Sequence, residues 1–283
     1  MSGSSESAAS QVLDKASPVH HKLTSSKYER AIELRGWTIS TAKYPISNSK
    51  EIDEDSEKLT IPLPEMIFGN NAVTLSQPES GITLNWTSFD ALDTVNKNGT
   101  DLKVSYSDSW NKSRDDHSEE IKHVTKPFDW TYTPSYRGSL PSDSAWKWEE
   151  TDQLLPMELL KRQDPILFYD EVILYESELD DNGTSVLSVR VRVMPDRLLI
   201  LARFFMRLDN VVFRVRDTRL YVEFETGVVL REYLVREEKY DTVKARIKPY
   251  QIDEVGTLVN DANWVAEQCP VVDGKMETLK HHV

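Results

Sequence analysis

Arginine is the residue type whose placement in this chain invites a chemical reading. Between Thr184 and Arg236 the sequence carries ten arginines, no lysine and six acids. That leaves four surplus positive charges in one stretch of a 283-residue chain whose formal net charge is −13. A planar guanidinium matches the carboxylate fork and tolerates partial burial better than an ammonium does. Two readings stay open: a solvated sheet face laddered by cross-strand ion pairs, or a carboxylate-binding site on or beside the sheet. Arg214, Arg216 and Arg219 are candidates for the second. Asp217-Thr218-Arg219 interrupts an apolar alternation, which suggests a turn or a bulge that re-aims side chains. Asp90 follows Thr87 at the spacing of a helix cap, so it either closes that cap or serves a site.

Other chemistries find little support. Cys269 stands alone, so it forms no internal disulfide and anchors no cysteine zinc site. The histidines are two adjacent pairs (His20 and His21, His281 and His282) plus His117 and His123, six apart, a spacing that matches no common metal motif. Phosphate-binding glycine loops, H-E-x-x-H and C-x-x-C are absent from the sequence, and no cofactor is expected. Paired carboxylates such as Asp115-Asp116, Glu119-Glu120 and Asp180-Asp181 lie in polar, turn-like segments. A sandwich hydrolase using two facing acids remains an alternative, as does an inert scaffold subunit.

Whatever the arginines do, a sheet must position them. The odd positions Leu187, Val189, Val191 and Val193 are apolar while Ser188, Arg190 and Arg192 alternate between them, the period of a half-buried strand. Strand-like runs continue at Leu198–Leu208, Val211–Val215, Leu220–Phe224 and Val228–Val235. The turns between them are too short for parallel crossovers, so the runs pair antiparallel. Further strands are expected within Glu33–Lys43, at Ala72–Gln77 and Ile82–Trp86, at Leu102–Tyr106, over Trp130–Thr133 and at Val172–Leu179. Short helices are expected at Ser47–Leu59, over about 88–96, near Glu158 and over 253–267. The fold class is α+β and sheet-rich: a meander or sandwich-like antiparallel core with short peripheral helices. Residues 1–28, rich in Ser and Ala, are expected to be a disordered tail. A single domain is expected over 29–270, and a flexible end over 271–283. No stretch approaches the apolar length of a membrane span, and the acidic balance gains little from a phosphate backbone, so neither membrane nor nucleic acid is expected as a partner.

Seven segments share an order with a known family. They are Leu63-Pro-Glu-Met-Ile-Phe-Gly-Asn-Asn71, Phe89-Asp-Ala-Leu92, Lys126-Pro-Phe-Asp-Trp-Thr-Tyr-Thr133, Leu187-Ser-Val-Arg-Val-Arg-Val-Met-Pro195, Arg203-Phe-Phe-Met-Arg-Leu-Asp209, Asp217-Thr-Arg-Leu-Tyr221 and Leu230-Arg-Glu-Tyr233. Together they resemble the Tap-interacting regulators of the TOR pathway; Asn70 departs from the pattern, since an acid is common there. The resemblance implies a cytoplasmic protein, with the nucleus open, that has no catalytic activity and acts as a monomer. It implies binding to catalytic subunits of type 2A-family phosphatases through a groove for their C-terminal tail, and a Tap-like associated protein as a further partner. It carries the partner-binding role to Asp90, Asp217 and Arg219, and to Leu155 in a poorly matched loop.

Overall fold

The computed structural model describes residues 20–98, 127–248 and 255–282. Thirteen strands form two antiparallel sheets in that range. The first sheet has the order β1-β2-β3-β5-β6, built from His21–Ser25, Glu29–Leu34, Trp37–Ala42, Ala72–Gln77 and Ile82–Thr87. The second has the order β4-β8-β9-β10-β11-β12-β13-β7. Its strands are β4 (Met66–Ile67), β7 (Trp146–Glu150), β8 (Phe168–Ser177), β9 (Gly183–Val193), β10 (Arg197–Leu208), β11 (Val212–Glu223), β12 (Val229–Lys239) and β13 (Val271–His281). The helices are α1 (Ser49–Leu59), α2 (Ser88–Asp93), α3 (Met157–Lys161), α4 (Tyr240–Lys244), α5 (Val255–Leu258) and α6 (Ala262–Gln268).

The period-two alternation builds the core. Trp37, Ile39, Leu75, Leu84 and Trp86 line the inner face of the small sheet, opposite Val189, Val191, Ile200, Phe204 and Leu220 of the large one, all buried in one cluster. Burying each such side chain contributes about 1.5–3 kcal/mol. Asp170 on β8 ties the two sheets: it accepts from Thr41 at 2.6 Å and Lys43 at 2.5 Å. The outer face of the large sheet carries two smaller clusters. In one, Phe205, Phe213 and Val215 pack under α4 and α6; in the other, Leu155 packs on Tyr221 and Leu230.

The expected strands β5, β6 and β8–β12, and the helices at 49–59, 88–93 and around 158, are present. Four expectations are corrected. Trp130–Thr133 is a turn: Asp129 Oδ1 accepts from the Thr131 amide and hydroxyl, and Tyr132 has φ +55°. All four residues are buried, so the apparent alternation does not mark a half-buried strand. Asp217-Thr218-Arg219 runs straight through β11 with continuous register to β10 and β12. The irregularities lie at Ile173/Tyr175 and Val235/Arg236. Residues 271–281 are a paired strand between β12 and β7, not a flexible end. β1 also begins inside the segment expected as a tail. The strand expected at Leu102–Tyr106, His117, His123 and most of the N-terminal tail lie outside the described residues.

Candidate functional site

The six candidate residues fall in three places. Asp217 and Arg219 alternate with Arg216 and Leu220, and so face outward from the large sheet. Asp217 is fully buried. Arg203 grips it through Nε at 2.6 Å and Nη2 at 2.8 Å, and Arg219 Nη2 donates to it at 3.3 Å. Arg219 Nη1 donates to Glu232 at 2.6 Å, and Arg203 Nη1 to Asn263 on α6 at 2.7 Å. Most of the arginine surplus on this face is thus held in ion pairs. Leu155 sits on the same outer face.

Arg214 and Arg216 point inward. Arg216 donates to the Pro134 carbonyl at 2.7 Å, fastening the segment after the 130–133 turn, and Arg214 donates to Glu237 of the neighbouring β12 at 2.5 Å. That segment runs on through Ser135–Leu140 to form one wall of a cleft of about 450 Å³. Asp90 and Asp93 of α2, Trp148 of β7 and Arg231 of β12 complete it.

Local sequence explains this wall. Thr87 caps α2 by accepting from the Asp90 amide at 3.2 Å. The Asp90 carboxylate is therefore not needed in the cap, and it accepts from the Ser139 hydroxyl at 2.7 Å. Gly138 has φ +90°, and a Cβ there would stand 2.8 Å from the Trp86 indole, so no other residue fits without displacement. Ser139 pairs with Asn85 across the edge of β6, with backbone bonds of 2.8 and 2.9 Å. Tyr136 Oη donates to the Asn85 carbonyl at 2.9 Å, and burial pushes its pKa up to about 12.

The opposite side of the cleft is basic. Glu277 of β13, 4% exposed, receives Arg137 Nη1 at 3.1 Å on each oxygen, Arg231 Nε at 2.8 Å and Lys275 at 2.7 Å. Arg231 lies 3.7 Å over the Trp148 ring. Burial lowers the Arg231 pKa to about 10, with Glu277 opposing, so the guanidinium stays charged at neutral pH. Burial pushes Glu277 up, but the Lys275 hydrogen bond and the Arg231 and Arg137 charges outweigh it and hold it below the ordinary carboxylate range. Three cations therefore share one acid. Arg137 commits Nη1 alone; its Nε and Nη2 edge, the geometry that forks onto a carboxylate, has no hydrogen-bond partner among the described residues. No group of three metal-ligating side chains occurs among the described residues, and none of their helices is long and apolar enough to cross a membrane.

The TIP41-like family profile matches residues 66–244. The chain belongs to the TIP41-like family. It is 39% identical over 88% of its length to the type 2A phosphatase activator TIP41 of Saccharomyces cerevisiae, covering 74% of that protein. It is 37% identical to a TIP41-like protein of Homo sapiens, covering 86% of each chain. It is 35% identical to the type 2A phosphatase activator of Schizosaccharomyces pombe, over 86% of this chain and 95% of the other. Within this TIP41-like chain, the family motifs brought Asp90 to the cleft. Arg137, Trp148 and Glu277 escaped sequence reasoning: the first two lie in or beside an irregular loop, the third in a segment too weakly patterned to be recognised as a strand.

Proposed function

We propose that this TIP41-like chain is a non-catalytic regulator that binds the catalytic subunit of a type 2A-family phosphatase and receives its C-terminal tail in the Asp90–Arg137–Arg231 cleft. The observation that carries this reading is the uncommitted fork edge of Arg137, in a cleft where three cations meet one acid. A chain-terminal carboxylate matches that edge as a planar fork, while Asp90 and Asp93 are the acids of the α2 side. Asp90 Oδ1, which has no hydrogen-bond partner among the described residues, suits an amide or hydroxyl of the incoming peptide, and Trp148 and Leu140 supply apolar contact. Two relatives named as type 2A phosphatase activators support the choice of partner. The motif resemblance supports a monomer acting in TOR signalling, in the cytoplasm with access to the nucleus, alongside a Tap-like associated protein.

Calorimetric titration with the recombinant catalytic subunit, intact and lacking its tail, tests the reading. The intact subunit binds with micromolar or better affinity, about −8 kcal/mol or more favourable, and the tailless form binds more weakly. Arg137→Gln weakens the intact complex by about 1.5–3 kcal/mol, the worth of a hydrogen bond to a charged group, and leaves the tailless complex unchanged. Equal binding of both forms keeps the partner and discards the cleft. No binding of either discards the partner.

A further inference from the structure

The C-terminal strand lies beyond the 66–244 span of the family profile, yet it supplies the acid on which the cleft's cations converge. We propose that Glu277 is a positioning residue for the cleft, and that β13 is thereby half of the ligand site. The proposal rests on the tail-binding reading above.

Arg137 lies on an irregular segment, so its backbone alone does not fix the guanidinium. Its polar side-chain contact among the described residues is Glu277, with the Tyr233 ring 5.4 Å from the guanidinium carbon. Glu277 takes Nη1 on both of its oxygens, which anchors that corner of the guanidinium at the acid and leaves the Nε and Nη2 edge open. The same carboxylate holds Arg231, whose Nη1 donates to the Arg137 carbonyl at 3.2 Å. Backbone and side chain of Arg137 are thus both referred to Glu277. Without that acid, Arg137, Arg231 and Lys275 repel one another, and the fork loses a defined direction. A second carboxylate, brought by a peptide terminus, then finds positive charge but no matched geometry. The ligand class is a peptide ending in a free carboxylate, as distinct from a neutral amide or ester.

The test titrates the full chain with a peptide of the last ten residues of a type 2A catalytic subunit, as the free acid and as the C-terminal amide. Wild type prefers the acid by about tenfold or more, as expected for a charge-assisted hydrogen bond. Glu277→Gln brings the acid-to-amide ratio toward one. Glu277→Asp keeps the charge but withdraws it by one methylene, and gives an intermediate ratio. If Glu277→Gln does not fold, Glu277→Asp decides by the same ratio. A ratio unchanged in the folded variants, or an equal loss for both peptides, overturns the positioning role and leaves the cleft reading standing. A wild type without preference overturns the cleft reading, and this proposal with it.

Discussion

At the scale of single residues, the sequence marks polarity and leaves its use open. Asp217 breaks an apolar alternation, and the break was expected to bend the chain. The fold absorbs it by ion pairing: the fully buried carboxylate sits under Arg203, which is itself nearly buried. Removing one partner of such a pair strands the other charge, so Asp217→Ala lowers stability by about 3–5 kcal/mol. A urea titration followed by circular dichroism reads this as a lower midpoint; a midpoint matching wild type contradicts the assignment. Any loss of partner binding in that variant then acts through Arg203 and Arg219, since Asp217 has no exposed surface. Asp90 was legible because it sits in a family motif and beside a cap. Arg137 was not, because a lone arginine in a loop carries no period, and its acid lies 140 residues away.

Elements were legible where one face is buried and the other wet. Leu187–Val193 satisfies that condition, and its strand was evident from alternation alone. β13 does not satisfy it. Val271 and Val272 are exposed, its buried positions are few, and Asp273-Gly274 are residue types that strands disfavour. Pairing with β12 and β7 makes it a strand, and pairing partners cannot be read from a local pattern. The same logic orders local stability. β10 is paired along nearly its whole length on both sides, whereas β1 and β7 each pair along one edge. Native-state hydrogen exchange therefore protects the amides of β10 longest and those of β1 and β7 least. Slow exchange throughout β7 would count against this ordering.

The whole molecule depends on charges placed where water is scarce, and pH exposes that dependence. Hydrogen bonds from Arg197 and Arg162 hold Asp164 below its ordinary pKa. Burial raises Asp170, but hydrogen bonds from Lys43 and Thr41 outweigh it and lower the pKa overall; Glu277 is lowered in the same manner. A depressed carboxylate pKa stabilises the fold above its unfolded value, near about 4, and that contribution is lost as pH falls through the folded value. On the alkaline side, burial raises Tyr175 well above its ordinary value and Tyr136 to about 12. Their contribution is complete below about pH 10 and is lost as pH rises toward the folded values. The thermal midpoint is therefore flat between about pH 5 and 9 and falls on both sides; an acid limb that stays flat to about pH 2 contradicts the carboxylate pairs. The strand order β12-β13-β7 has one more consequence, which concerns the making of the chain. A ribosome delivers Trp146–Glu150 long before Val271–His281, so during synthesis β7 has no neighbour and β12 shows a bare edge. The nascent protein cannot close its sheet until β13 has emerged, and a chain stalled before that point lacks the acid that orders the cleft.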